Sequence, residues 1–187
     1  MNLLTQSKNA TILPVLIAVT LAWFALTPQA RATCQDGCLT NNNTVLGDDA
    51  LISLTTGTDN TALGFNALLS NTTGNFNTAI GSQALYSNTT GYQNTATGDG
   101  ALVNNTTGNF NTATGTDALS FNTVGRDNTA IGNFALTFNI SGNQNTAIGE
   151  QALYNSNGSR NIAVGFRAGE LYRWQCQYRC GQRGRCR

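Results

Sequence analysis

Short apolar segments alternate with polar runs along most of this chain. Two segments recur, represented by "NTAIG" at 77–81 and "ALYSN" at 84–88, and glycines separate them. Each segment has the length of a short strand, whereas two glycines and an Asn-Thr-Thr run in every unit disfavour a helix. The pattern therefore predicts two strands and two corners per unit.

The unit is repeated eight times, beginning at Asn43. The first six intervals are 17 residues long and the last is 16 residues long. A fixed period of this kind is typical of stacked supersecondary units. We therefore predict an all-β fold, a parallel β-solenoid or β-roll of about eight 17-residue coils, across residues 43–169.

Three columns of this alignment are invariant, and the eighth position is Ala in every unit. Every unit begins with Asn and has Gly at its fifth position. Stacked amides can form hydrogen bonds along a column, so we predict a structural ladder at Asn60, Asn77, Asn94, Asn111, Asn128 and Asn145. Glycine tolerates the positive φ of a tight corner, so we predict corner glycines at Gly64, Gly81, Gly98, Gly115, Gly132 and Gly149.

The "NTT" run matches the N-glycosylation acceptor pattern at Asn71, Asn88 and Asn105. These asparagines occupy a repeat position, so we interpret them as structural and expect them to be unmodified.

The apolar residue pairs in both segments predict that more apolar surface is buried than a single chain can cover. Neighbouring strand residues point to opposite faces, so one member of Ala-Ile and one member of Ala-Leu would point outward. Apolar groups on both faces are typical of a strand that is covered on both sides. We therefore expect identical coils to pack side by side, with an interruption at Thr97 and Thr114, which replace Ile.

The N-terminus has the features of an export signal. Lys8 precedes the apolar run "ATILPVLIAVTLAWFAL", and Ala30 and Ala32 fit the small-x-small cleavage pattern. Residues 1–32 are predicted to be a signal peptide that is cleaved after Ala32, because the apolar run is shorter than a spanning helix needs. An uncleaved signal anchor is the alternative. The mature chain is thus expected to be exported, extracellular or on a bacterial cell surface, with no membrane span left.

Residues 33–42 form a cysteine-containing N-terminal segment. Cys34 and Cys38 are candidates for a disulfide in an oxidising compartment. A thiol that links chains or carries lipid is the alternative.

Charge is distributed unevenly. Residues 33–159 carry eight acidic side chains against Arg126, whereas residues 160–187 carry seven arginines against Glu170. The chain has no histidine, no phosphate-binding motif and no metal-ligand pattern. Asp99, Asp117 and Asp127 are isolated in the sequence and are expected to be solvated. We therefore expect no enzymatic activity, no cofactor, no metal and no nucleic-acid partner.

"NTAIG" and "ALYSNTTG" together resemble the head repeats of trimeric autotransporter adhesins, the YadA-like heads. Similar repeats occur in bacterial surface and phage-fibre-like proteins that carry endosialidase-type chaperone domains. The resemblance covers 43–169 and implies a left-handed, homotrimeric β-roll that binds host surfaces or matrix. The unit is longer than the usual YadA-like one, and the chain lacks a heptad stalk, a membrane barrel and a chaperone domain.

The tail at 170–187 departs from the repeat and is rich in Arg and Cys. Three interpretations are open: a basic cap that carries disulfides, a segment that binds anionic partners electrostatically, or a segment translated from the wrong reading frame. We favour the last interpretation. The codons of Trp174–Gln175, read one base later, contain a glycine codon, and codon degeneracy permits a shifted reading of the tail that resembles the repeats.

Three functions follow. The first is an exported structural or adhesive β-roll for attachment to a cell surface, matrix or glycan, strengthened by multivalency. The second is a stand-alone solenoid that binds ice or polysaccharide through a Thr/Asn face. The third is a truncated relic without a present function.

Overall fold

The structure, a computed structural model, describes residues 37–39 and 41–169. Within them the chain is all-β, and no helix is present in these ranges. The signal peptide predicted at 1–32 and the tail at 170–187 lie outside the described residues.

Nine short strands form one sheet in chain order. They are β1 (Gly37–Leu39), β2 (Asn43–Leu46), β3 (Thr61–Leu63), β4 (Thr78–Ile80), β5 (Thr95–Thr97), β6 (Thr112–Thr114), β7 (Thr129–Ile131), β8 (Thr146–Ile148) and β9 (Ile162–Val164). The eight strands from β2 to β9 are parallel and give about seven turns of a solenoid. The predicted parallel β-solenoid with a 17-residue period is confirmed.

The register is that of the sequence repeat. Thr78 pairs with Thr95 and Ala79 with Ala96, so equivalent residues lie directly above one another. The first edge of the parallel sheet is covered by β1, which pairs antiparallel with β2. Because parallel strands are about 4.8 Å apart, the seven steps from β2 to β9 span roughly 34 Å.

The predicted second strand of each coil is wrong. The "ALYSN" segment forms turns, and its Leu has a left-handed backbone with φ between 51° and 54° at Leu51, Leu68, Leu85, Leu102, Leu119, Leu136 and Leu153. A left-handed conformation costs a non-glycine residue about 1–2 kcal/mol. Burial of a Leu side chain contributes about 2 kcal/mol and offsets that cost.

This turn also changes the side-chain directions. In the coil at 77–93, both Ala84 and Leu85 are fully buried, where a strand would have turned one of them outward. Together with the strand residue Ala79 they fill the interior of the coil. The expectation that "ALYSN" contributes an outward apolar residue is therefore wrong, because its Ala-Leu pair closes the core of its own chain.

Candidate functional site

The structure places the first-position asparagines in one buried column. The Oδ1 atom of Asn77 accepts hydrogen bonds from the backbone N–H and from Nδ2 of Asn94, each at 3.1 Å. The Nδ2 atom of Asn94 also donates to the carbonyl of Gly108 at 2.9 Å. This arrangement recurs at Asn60, Asn77, Asn111, Asn128 and Asn145, so every member joins two coils.

The first residues of the "NTTG" runs form a second asparagine ladder, which was not predicted. Nδ2 of Asn88 donates to Oδ1 of Asn71 at 2.8 Å, and the same bond joins Asn105 to Asn88. These three side chains are fully buried. The interpretation of the "NTT" asparagines as structural is supported, and the regular Asn in that motif was the signal for a second ladder.

The second column ends at Asn139. Its Oδ1 atom is buried and has no hydrogen-bond partner within the described part of the chain. Ser156 stands 17 residues later, in the coil that is one residue shorter. The shorter side chain and the shorter coil together interrupt the ladder.

The predicted corner glycines also form a column. At Gly98 φ is 132°, and a Cβ atom would lie 2.6 Å from the carbonyl oxygen of Gly115. Gly64, Gly81, Gly115, Gly132 and Gly149 have the same conformation, with φ between 126° and 134°. The corner thus requires glycine for its backbone angle and for the close approach of adjacent coils.

One face of the solenoid, the strand face, carries the outward residues of β2 to β9. It has an apolar column of Leu46, Leu63, Ile80, Ile131, Ile148 and Val164, interrupted by Thr97 and Thr114. Ile80, Ile131 and Ile148 are 40%, 41% and 37% exposed. The strand residues include no charged side chain. The outward apolar column predicted for "NTAIG" is therefore present.

A threonine column runs beside the apolar column. Its members are Thr44, Thr61, Thr78, Thr95, Thr112, Thr129 and Thr146, in register from strand to strand. The residue between the two columns, Val45 in β2 and Ala in β3 to β9, points inward and is buried. In β5 and β6 the outward pairs are Thr95 with Thr97 and Thr112 with Thr114, so the hydroxyl array is two residues wide there.

The acidic side chains do not converge on a metal site. No group of three or more His, Cys, Asp or Glu side chains that could hold a metal ion is found among the described residues. Asp117 is partly buried, and this burial and then the negative charge of Asp99 raise the pKa of its carboxyl group. The two aspartates occupy adjacent coils, where Asp117 N–H donates to the Asp99 carbonyl at 2.9 Å.

Cys34 lies outside the described residues, and only the backbone of Cys38, in β1, is described. The proposed disulfide between them thus stays a prediction. Within residues 37–39 and 41–169, no helix is long and apolar enough to cross a membrane. Comparisons with protein-family models, with curated proteins and with solved structures found no match to this chain.

Proposed function

We propose that this chain is an exported, non-enzymatic structural repeat protein that assembles with two further copies of itself and displays its remaining faces for attachment. The observation that carries the proposal is the uncharged strand face with its exposed apolar column. Interface cores are depleted in charged residues, and sheets of parallel strands are ordinarily covered on both faces.

A second copy fits this face better than an unrelated partner does. The apolar column follows the stacking direction and repeats at each coil, so identical chains aligned in parallel present matching groups at every step. Three chains arranged around one axis would bury all three columns together. The resemblance of "NTAIG" and "ALYSNTTG" to the trimeric adhesin heads supports the same stoichiometry and an adhesive role at a surface or matrix.

The assembly is tested by light scattering on the full chain, produced with its own leader and purified under reducing conditions. Reduction removes disulfide-linked oligomers, which matter because the chain has five cysteines. We expect three times the chain mass, and a mature N-terminus at Thr33 by mass spectrometry. A folded monomer would refute the assembly, and an uncleaved leader would refute the predicted cleavage of the signal peptide.

Substitution locates the interface. We expect Ile80→Lys together with Ile131→Lys to convert the trimer to monomers, because both side chains are exposed on the strand face and a buried lysine would be unpaired. Thr90→Lys together with Thr107→Lys is the matched control on another exposed side of the coil. If the variant with both Ile→Lys substitutions remains trimeric, the interface does not lie on the strand face.

A second candidate function uses the same face. The threonine column is uninterrupted from β2 to β8, and the residue that follows each Thr, Val45 or an Ala, points inward. A flat hydroxyl array with regular spacing favours binding of ice or polysaccharide by a single chain. A folded monomer that slows ice recrystallisation, and loses this activity in Thr95→Lys with Thr112→Lys, would support this candidate over the trimer.

A further inference from the structure

A polar groove of about 370 Å³ lies at the corner that precedes the strand face. It is lined by Arg126, Asp127, Asn143, Gln144, Ser159 and Arg160. These residues are the last two of three successive coils. Its volume is within the range of ligand-binding clefts.

The floor of the groove is fixed by the repeat. Arg126 N–H donates to Oδ1 of Asn143 at 2.9 Å, and Gln144 N–H donates to the Arg126 carbonyl at 3.0 Å. Arg160 N–H donates in turn to the Asn143 carbonyl at 2.9 Å. The groove is therefore formed in advance by hydrogen bonds between coils, so little ordering is needed when a ligand binds.

The walls of the groove provide hydrogen-bond donors. Nε of Arg160 donates to Oε1 of Gln144 at 3.2 Å, which orients the guanidinium and leaves its terminal nitrogens free to bind. Arg126 is exposed two coils away, roughly 10 Å along the stack. The groove lining thus contains two guanidinium groups and one carboxylate, Asp127, on a body that is otherwise acidic.

Two exposed aromatic side chains lie at the same corner in the coils that precede the groove. Tyr92 and Phe110 occupy the same corner in the two preceding coils, and Phe110 lies one coil before Asp127. Their rings are in edge-to-face contact with centroids 5.1 Å apart, and they are 38% and 44% exposed. Exposed rings beside a polar cleft offer an apolar surface for the C–H faces of sugar rings.

We propose that this corner binds an acidic polysaccharide. The anionic group of one sugar lies between Arg126 and Arg160, and Asp127, Asn143 and Gln144 bind hydroxyls. Neighbouring sugars stack on Tyr92 and Phe110. Nucleic acid is disfavoured because its affinity depends on many phosphate contacts with basic residues, and the groove offers only Arg126 and Arg160. This inference rests on the proposed attachment function and specifies its ligand class.

The test is calorimetric titration of the full chain with a galacturonic acid oligomer. The probes for comparison are its neutral methyl ester, a sulfated oligosaccharide and a single-stranded oligonucleotide. We expect binding to the acidic sugar that weakens with salt, and none to the methyl ester. Preference for the carboxylated or the sulfated sugar identifies the acidic group, and either supports the site. Binding to the oligonucleotide alone overturns the proposal.

Residues found at the equivalent positions of other coils provide conservative substitutions. Arg126→Asn restores the residue found at the equivalent positions 75, 109 and 143, and Arg160→Gln restores the residue found at 93 and 144. Each is expected to reduce affinity about tenfold, because a hydrogen bond to a charged group is lost. Arg167→Gln, at another corner, is the control and should bind as the unsubstituted chain does. Unchanged affinity in both groove variants overturns the site.

Light scattering on the same samples separates the two proposals. A trimer that does not bind the acidic sugar overturns the groove inference and leaves the assembly in place. A monomer that binds it, with loss in Arg126→Asn, supports the groove and overturns the assembly.

Discussion

Oδ1 of Asn94 accepts two hydrogen bonds from Asn111, one from its backbone N–H at 3.0 Å and one from its Nδ2 at 3.2 Å. The same amide group of Asn94 donates to the carbonyl of Gly108 in its own coil. One buried side chain thus satisfies a main-chain donor of the next coil and a main-chain acceptor of its own.

This relationship predicts the effect of Asn94→Leu. The substitution removes an acceptor from the buried N–H of Asn111 and a donor from the carbonyl of Gly108, and each orphaned group costs about 1–3 kcal/mol. We expect the free energy of unfolding to fall by about 2–6 kcal/mol, measured by urea denaturation followed by circular dichroism.

Asn133→Ala is the control for this substitution. Asn133 is exposed, and its Oδ1 accepts a single bond from Thr116 N–H at 3.2 Å. Its loss should reduce the free energy of unfolding by less than about 1 kcal/mol, because water can replace the bond. Equal losses in both variants would contradict a special role for the buried ladder.

A second prediction concerns the glycine corner. In Gly98→Ala the new Cβ atom meets the carbonyl oxygen of Gly115 at 2.6 Å, and φ is 132°. Strain of this kind and the forced separation of two coils should together destabilise the fold by about 3 kcal/mol or more. The measurement is the midpoint of thermal unfolding, with soluble yield as a second readout.

Gly100→Asn provides the matched comparison two residues away. Its φ is 64°, and other coils have non-glycine residues with similar angles at this position, including Asn66 and Gln83. The nearest atom to a new Cβ belongs to the side chain of Asp117, which can move. We expect stability close to that of the unsubstituted chain, and a large loss here would refute the proposed distinction between the two glycines.

The strand face yields a third prediction. Thr97→Ile together with Thr114→Ile would complete the apolar column between Ile80 and Ile131. If the column is the trimer interface, these substitutions should tighten association by burying more apolar area, and the trimer should persist at lower concentration. A light-scattering dilution series measures this effect. Thr90→Val with Thr107→Val, at a position where Val124 already occurs, should leave association unchanged.

The fourth prediction concerns pH. The raised pKa of Asp117 means that the folded state binds its proton more tightly than the unfolded state does. The unfavourable contribution of Asp117 to the free energy of unfolding is absent below the ordinary carboxyl pKa. It grows as the pH rises from that value through the raised pKa of the folded state. We expect Asp117→Asn to increase the unfolding midpoint at neutral pH and to have no effect in acid. Asp127→Asn is the comparison, and equal gains in both variants would contradict this account.

The repeat period, the all-β class and the outward apolar column could all be predicted from the sequence. These features follow from which residues recur and from the alternation of side chains along "NTAIG". Asn77 and Asn94 stand at the same position of successive units, so stacking of the units places them together whatever the exact course of the coil.

The shape of the remaining coil could not be predicted. Leu85 adopts a left-handed backbone that its residue type disfavours, and only burial beside Ala84 makes that conformation favourable. The expected second strand was therefore wrong. The groove between Arg126 and Arg160 also arises from stacking, because these residues are 34 positions apart in the sequence and meet at one corner only after two turns of the solenoid.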